Sequence, residues 1–178
     1  MAFRIISFDG GGTRGLYTAV LLKRLCDAVP ELLERTDLYA GTSTGGLIGL
    51  SLAHGSTPAA LVELYRDHAA AMFDDAWYDD VKDLGQLIGA NYDNDNLRGL
   101  LEKIVGSSTL GQLGKKVLIP TFCLDNRSQD PDKSRRRWSP KFFHNFPGSD
   151  SDEKELALDV ALRTSAAPSY FPSPVRRR

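Results

Sequence analysis

Residues 4–25 read RIISFDGGGTRGLYTAVLLKRL. An apolar run meets three consecutive glycines, and an amphipathic pattern follows at once. Residues 3–8 have the look of a buried strand, and 16–29 of a helix ended by Pro30. A glycine-rich turn between a strand and a helix serves two chemistries. Its backbone N–H groups can cradle a phosphate, or they can hold an oxyanion. Gly10-Gly11-Gly12-Thr13-Arg14-Gly15 satisfies G-x-G-x-x-G. A dinucleotide fold also wants an acidic residue ending the second strand, and Asp37 precedes its strand instead. No Gly-Lys-Ser/Thr follows the loop, which excludes a Walker loop.

Outward from that stretch, strand and helix signals alternate. Residues 38–41 read as a short strand, and 44–55 as a helix stopping near Gly55. Thr57 caps a further helix that opens with Pro58 and runs to about Met72. Residues 73–96 are mixed, with one short helical candidate at 84–88. A helix from about 96 to 105, strands within 114–125 and 135–146, and a helix from 151 that breaks at Pro168 complete the reading. On the first helix Cys26 shares a stripe with Leu22, Leu25 and Val29 and reads as a core thiol. On the last, Leu156, Val160 and Arg163 fall in register. The alternation predicts parallel β-α units in a layered α/β fold.

Bulk properties exclude several classes. A net charge of −1 gives no electrostatic case for nucleic acid. No apolar run is long enough to span a bilayer, and Arg4 interrupts the first one, so no signal peptide is expected. Two cysteines far apart suggest a reduced, cytoplasmic protein. No His/Cys cluster supports zinc. Residues 93–96, DNDN, open no calcium loop, because loop positions six and twelve would be Arg98 and Ile104. Neither metal nor cofactor is expected.

The second motif chooses between the two chemistries. Gly41-Thr42-Ser43-Thr44-Gly45 is G-x-S-x-G at another strand–helix junction, the context of a nucleophile elbow. Such a turn pushes the serine hydroxyl outward at a helix N-terminus, where the dipole favours developing negative charge. Beside it, the Gly10, Gly11 and Gly12 backbone becomes an expected oxyanion hole. Arg14 reads equally as a loop-steadying ion pair or a head-group contact. The three histidines, His54, His68 and His144, offer no good base. His54 lies eleven residues along the helix that Ser43 starts, roughly 16 Å away at 1.5 Å per residue.

These motifs resemble the patatin-like phospholipases, a family of lipid acyl hydrolases. The matching residues are Asp9 through Gly15, then Gly41 through Gly46. The stretches 115–125 and 161–174 fit as well, the latter resembling the family's Ala-Ala-Pro segment. The resemblance implies a three-layer α/β/α sandwich around a mostly parallel sheet, with Ser43 as nucleophile of a Ser-Asp dyad. The implied partners are phospholipid or other acyl-lipid substrates and transient contact with a membrane surface. The family's aspartate lies in an Asp-Gly-Gly or Asp-Gly-Ala motif downstream of the Ala-Ala-Pro segment. Here the only Asp-Gly is Asp9-Gly10, and neither Asp125 nor Asp159 sits in such a motif. Residues 1–178 are therefore expected to be a single catalytic domain incomplete at its C-terminus.

Two other readings stay open. One is a lipid-binding or interaction module that lacks the catalytic aspartate. The other is a nucleotide-binding oxidoreductase, which leaves G-x-S-x-G unexplained. Residues 73–80, with Trp77 and Tyr78, read as an interfacial lid or as a surface loop. Arg135, Arg136 and Arg137 beside Trp138 read as a solvated loop or a head-group contact.

Overall fold

The computed structural model describes residues 2–73, 94–123 and 138–166. Strand β1, Ile5–Phe8, leads through the glycines into a 3-10 turn, Gly12–Arg14, and helix α1, Gly15–Ala28. Then come β2, Leu38–Gly41, α2, Thr44–His54, and α3, Pro58–Phe73. Helix α4, Asn94–Val105, precedes β3, Lys116–Cys123, β4, Ser139–His144, and α5, Ala157–Ser165. Among the described residues this is an α/β fold with a mostly parallel four-stranded sheet.

The strands lie in the order β1-β2-β3-β4. The first two pairings are parallel and the last is antiparallel. Parallel pairing of β1 with β2 aligns Phe8 with Gly41. The glycine turn and the G-x-S-x-G turn therefore leave the same edge of the sheet, side by side. In open α/β sheets that edge, outside the carboxyl ends of the strands, is where ligands bind.

Alternation along the strands defines the packed face. Phe8, Tyr39, Val117, Ile119 and Phe143 are buried, while Ile5, Phe122 and Phe142 are exposed. Helix α2 lies against β1, β2 and β3, and α1, α4 and α5 surround it. Every residue from Thr44 to Ala53 is buried. Such a helix is held in place on all sides, and so is the turn that starts it. Its far end closes on Gly55, whose φ of +112° only glycine adopts readily; the Gly55 N–H donates to the Leu52 and Ser51 carbonyls.

Two elements depart from the sequence reading. The last helix starts at Ala157, not at 151. The acidic stretch before it is spent on pairing: the Asp152 carboxylate meets Lys141 Nζ at 2.7 Å and accepts the His144 N–H at 3.2 Å. The Glu153 and Glu155 carbonyls accept the Gly111 and Leu110 N–H groups. Leu156 bridges Thr109 and is exposed, and Arg163 ion-pairs with Glu155 at 2.9 Å, so of the three residues in register Val160 is core. On α1 the buried stripe is Gly15, Ala19 and Leu22, with Cys26 half-buried. Leu25 and Val29 are exposed. Helix α1 packs on α3, with Gly15 against Tyr65, and Tyr17, Leu21 and Leu25, at i+4 spacing, face outward. Partial burial, then the neighbouring Asp27 charge, raises the Cys26 thiol pKa, as suits an inert packing group.

Candidate active site

The second turn is abrupt. Ser43 sits between β2 and α2 with φ 54° and ψ −128°. Among the described residues it is the only non-glycine with positive φ. Such a conformation costs on the order of 1–3 kcal/mol and persists only where the surroundings over-determine it. The Ser43 hydroxyl makes no capping hydrogen bond to α2, although the residue stands at the N-cap. The turn itself is closed by Gly45 N–H donating to the Thr42 carbonyl at 3.0 Å, and Leu47 N–H to the Ser43 carbonyl at 3.0 Å.

Close backbone approach explains the small residues. A Cβ on Gly45 would overlap the Phe8 carbonyl and stand 2.8 Å from the Asp9 oxygen. A Cβ on Gly41 would strike the Gly45 carbonyl. The glycine loop is equally tight against the elbow: a Cβ on Gly10 would lie 2.8 Å from the Thr42 oxygen and 3.2 Å from Ser43 Cβ. Gly12 has φ +56°. The Arg14 N–H donates to the Gly11 carbonyl at 3.1 Å. The Arg14 side chain lies along Gly11, its Cδ 3.6 Å from where a Gly11 Cβ would be. Among the described residues, no acceptor takes the N–H groups of Gly10, Gly11 or Gly12.

Two residues that sequence reasoning missed hold the elbow from behind. Tyr65 on α3 is fully buried. Its Oη donates to the Thr44 carbonyl at 3.1 Å and lies 2.6 Å from Thr44 Oγ1. A Cβ on Gly15 would overlap Thr44 Oγ1 and stand 2.6 Å from Tyr65 Cε1, so the glycine opening α1 makes room for the pair. Burial raises the Tyr65 pKa strongly, and the Thr44 hydrogen bond offsets only part of this. The Tyr65→Phe variant should lose about 1–3 kcal/mol of stability, since it leaves the buried Thr44 hydroxyl without its partner. Urea unfolding of both proteins measures this. The second residue is Thr164 on α5, whose Oγ1 accepts the Ser43 N–H at 3.0 Å. Tyr65 had a helical apolar pattern as its only signal. Thr164 lay within the stretch resembling the Ala-Ala-Pro segment, yet no spacing rule ties it to a turn 121 residues earlier.

Other expected candidates lie elsewhere. His54 closes α2, with Nε2 3.1 Å from Ser108 Oγ. His68 is exposed on α3. His144 Nδ1 accepts the Phe146 N–H at 3.3 Å, and its Nε2 is 3.6 Å from Asp150. Asp37 accepts the Arg4 N–H at 2.8 Å, at the end of β1 and β2 opposite the glycine turn. It is therefore far from where a nucleotide ribose on that turn would sit. Asp159 is half-buried on α5. Asp125, Trp77, Tyr78, the 84–88 segment and Arg135 to Arg137 lie outside the described residues; Trp138 is exposed.

The family model described as patatin-like phospholipase matches residues 6–178. The chain belongs to the patatin-like phospholipase family. It is 33% identical over 185 residues to a cGAMP-activated phospholipase of Vibrio cholerae, covering 94% of this chain and 49% of that protein. Protein teg of Priestia megaterium is 33% identical over 168 residues, with 94% and 49% covered. Patatin-like protein 2 of Arabidopsis thaliana is 30% identical over 187 residues, with 95% and 43% covered. This patatin-like chain thus spans about half the length of the curated relatives it matches. The fold is shared with Pseudomonas aeruginosa ExoU, solved as a heterodimer with SpcU, at a TM-score of 0.53 and 15% identity, covering 94% of this chain and 37% of that one. No described helix is long and apolar enough to cross a membrane.

Proposed function

We propose that this patatin-like chain carries the nucleophile half of a lipid acyl hydrolase of phospholipase A or esterase type, with Ser43 as the nucleophile. The carrying observation is the juxtaposition of Ser43, at φ 54°, with the Gly10 backbone packed against it. In this reading Ser43 Oγ attacks the carbonyl carbon of a lipid ester. The carbonyl π electrons move to oxygen, and the N–H groups of Gly10, Gly11 and Gly12 hold the resulting oxyanion. Collapse of the intermediate expels the alcohol and leaves an acyl-serine, which water then hydrolyses. Gly41, Thr42, Thr44 and Gly45 shape the elbow, and Arg14 steadies the loop along Gly11. The serine proton needs a base. The three histidines are spent or placed elsewhere, and we assign the base to an aspartate outside these 178 residues, completing a Ser-Asp dyad. The substrate class is phospholipid or another acyl lipid, met at a membrane surface.

A fluorophosphonate probe tests the assignment directly. On the longest natural product of the gene, the adduct should map to the Ser43 peptide, and vesicles of phosphatidylcholine should release fatty acid. Folded protein that stays unlabelled, while a control serine hydrolase reacts, overturns the nucleophile. A second reading is a non-catalytic lipid-binding module. Vesicle binding without turnover, unchanged by Ser43→Ala, would select that reading.

A further inference from the structure

We propose that Thr164 is the positioning residue of the nucleophile, a role that rests on the reading of Ser43 given above. The strained Ser43 backbone is tied down by its own amide. That N–H donates to Thr164 Oγ1 at 3.0 Å, and Thr164 Oγ1 donates to the Pro120 carbonyl at 2.8 Å. The direction of this relay is fixed by chemistry. An amide can only donate and a carbonyl can only accept. The hydroxyl between them must therefore accept from Ser43 and give its single proton to Pro120. Only a side chain that both accepts and donates can stand there, so the elbow, α5 and β3 meet on one oxygen.

Threonine suits the place better than serine. Thr164 is buried, and its Cγ2 lies 2.9 Å from where a Cβ on Gly46 would be. Gly46, next but one to the elbow's Thr44, thus leaves room for the methyl group, and the methyl group in turn fixes χ1 and aims the hydroxyl. The second point of attachment is the Tyr65–Thr44 pair, which holds the residue after Ser43. Together they hold the peptide before the serine and the residue after it. Loss of the relay frees Ser43 to relax toward an ordinary backbone conformation, which withdraws Oγ from the Gly10 loop without touching any group that meets substrate.

The test compares Thr164→Val, isosteric without a hydroxyl, with Thr164→Ser, which keeps the relay, in the longest natural product of the gene. Thr164→Val is expected to slow fluorophosphonate labelling of Ser43 and to lower kcat by about 10- to 100-fold, with KM within about twofold, because positioning acts on the reacting geometry. Thr164→Ser should stay within about fivefold of wild type. A Thr164→Val protein that is folded and labels at the wild-type rate overturns the role. A separate readout needs neither catalysis nor a variant: the Ser43 amide of wild type should be protected from hydrogen exchange. An unprotected Ser43 amide overturns the relay whatever the labelling. A protected amide on wild-type protein that takes no label overturns instead the nucleophile reading, and the positioning role with it.

Discussion

Ser43→Ala is expected to abolish lipid ester hydrolysis, with kcat falling on the order of 10⁴-fold or more and fluorophosphonate labelling lost, while the fold stays intact. The second half of this expectation is as diagnostic as the first. Serine at a helix N-cap ordinarily stabilises the helix, and its replacement by alanine costs about 1 kcal/mol. The Ser43 hydroxyl makes no such bond to α2. Removing it should change stability by no more than about 0.5 kcal/mol. Ser43→Gly separates backbone strain from side-chain chemistry. Glycine adopts φ 54°, ψ −128° at little steric cost, which relieves on the order of 1–3 kcal/mol. It also gives the unfolded chain about 0.4–1 kcal/mol more conformational freedom. The glycine variant should therefore be inactive and more stable than wild type by about 1 kcal/mol. Urea unfolding of the three proteins, beside labelling and vesicle hydrolysis, checks both halves. An active Ser43→Ala protein, or one destabilised like a lost cap, would return Ser43 to the rank of a capping residue.

Much of this site was legible because its parts are local. A strand of four residues, a run of glycines and a helix are neighbours in sequence, and each turn announces itself by composition. Leu38–Gly41 matches the reading to the residue, and the expected stop near Gly55 is the C-cap of α2. Parallel alternation then places both turns at one edge of the sheet, and the structure adds the register, Phe8 beside Gly41. What could not be read is what acts across distance. Thr164 reaches the elbow from α5, and Tyr65 from α3, through contacts that no periodicity encodes. The late start of α5 has the same origin: residues 151–156 have helical composition, but their carbonyls and Asp152 are claimed by the Thr109–Gly111 turn and by β4. On α1 the apolar pattern was real, but it runs round the helix. Which stripe is core was decided by where α3 packs, with Tyr65 against Gly15.

The same geometry makes Gly45→Ala the substitution with the largest expected cost to the fold, against the ordinary trend for helices. Alanine exceeds glycine in helix propensity by about 1 kcal/mol. At Gly99 on α4 nothing lies within 4 Å of an added Cβ, so Gly99→Ala should stabilise by close to that amount. At Gly45 the added carbon would overlap the Phe8 carbonyl oxygen and stand 2.6 Å from its carbon and 2.8 Å from the Asp9 oxygen. All three are backbone atoms and none can swing aside. Relief requires α2 to retreat from the end of β1, yet α2 is buried on every side and touches three strands and three helices. The cost should be on the order of 3–5 kcal/mol, at the upper end of what overpacking produces. The retreat also pulls Ser43 away from Gly10, so protein that still folds should label slowly. Urea unfolding of the pair gives opposite signs on this account. A Gly45→Ala variant stabilised like Gly99→Ala would mean that the elbow and the glycine turn do not touch, and with that contact gone the oxyanion-hole assignment would fall.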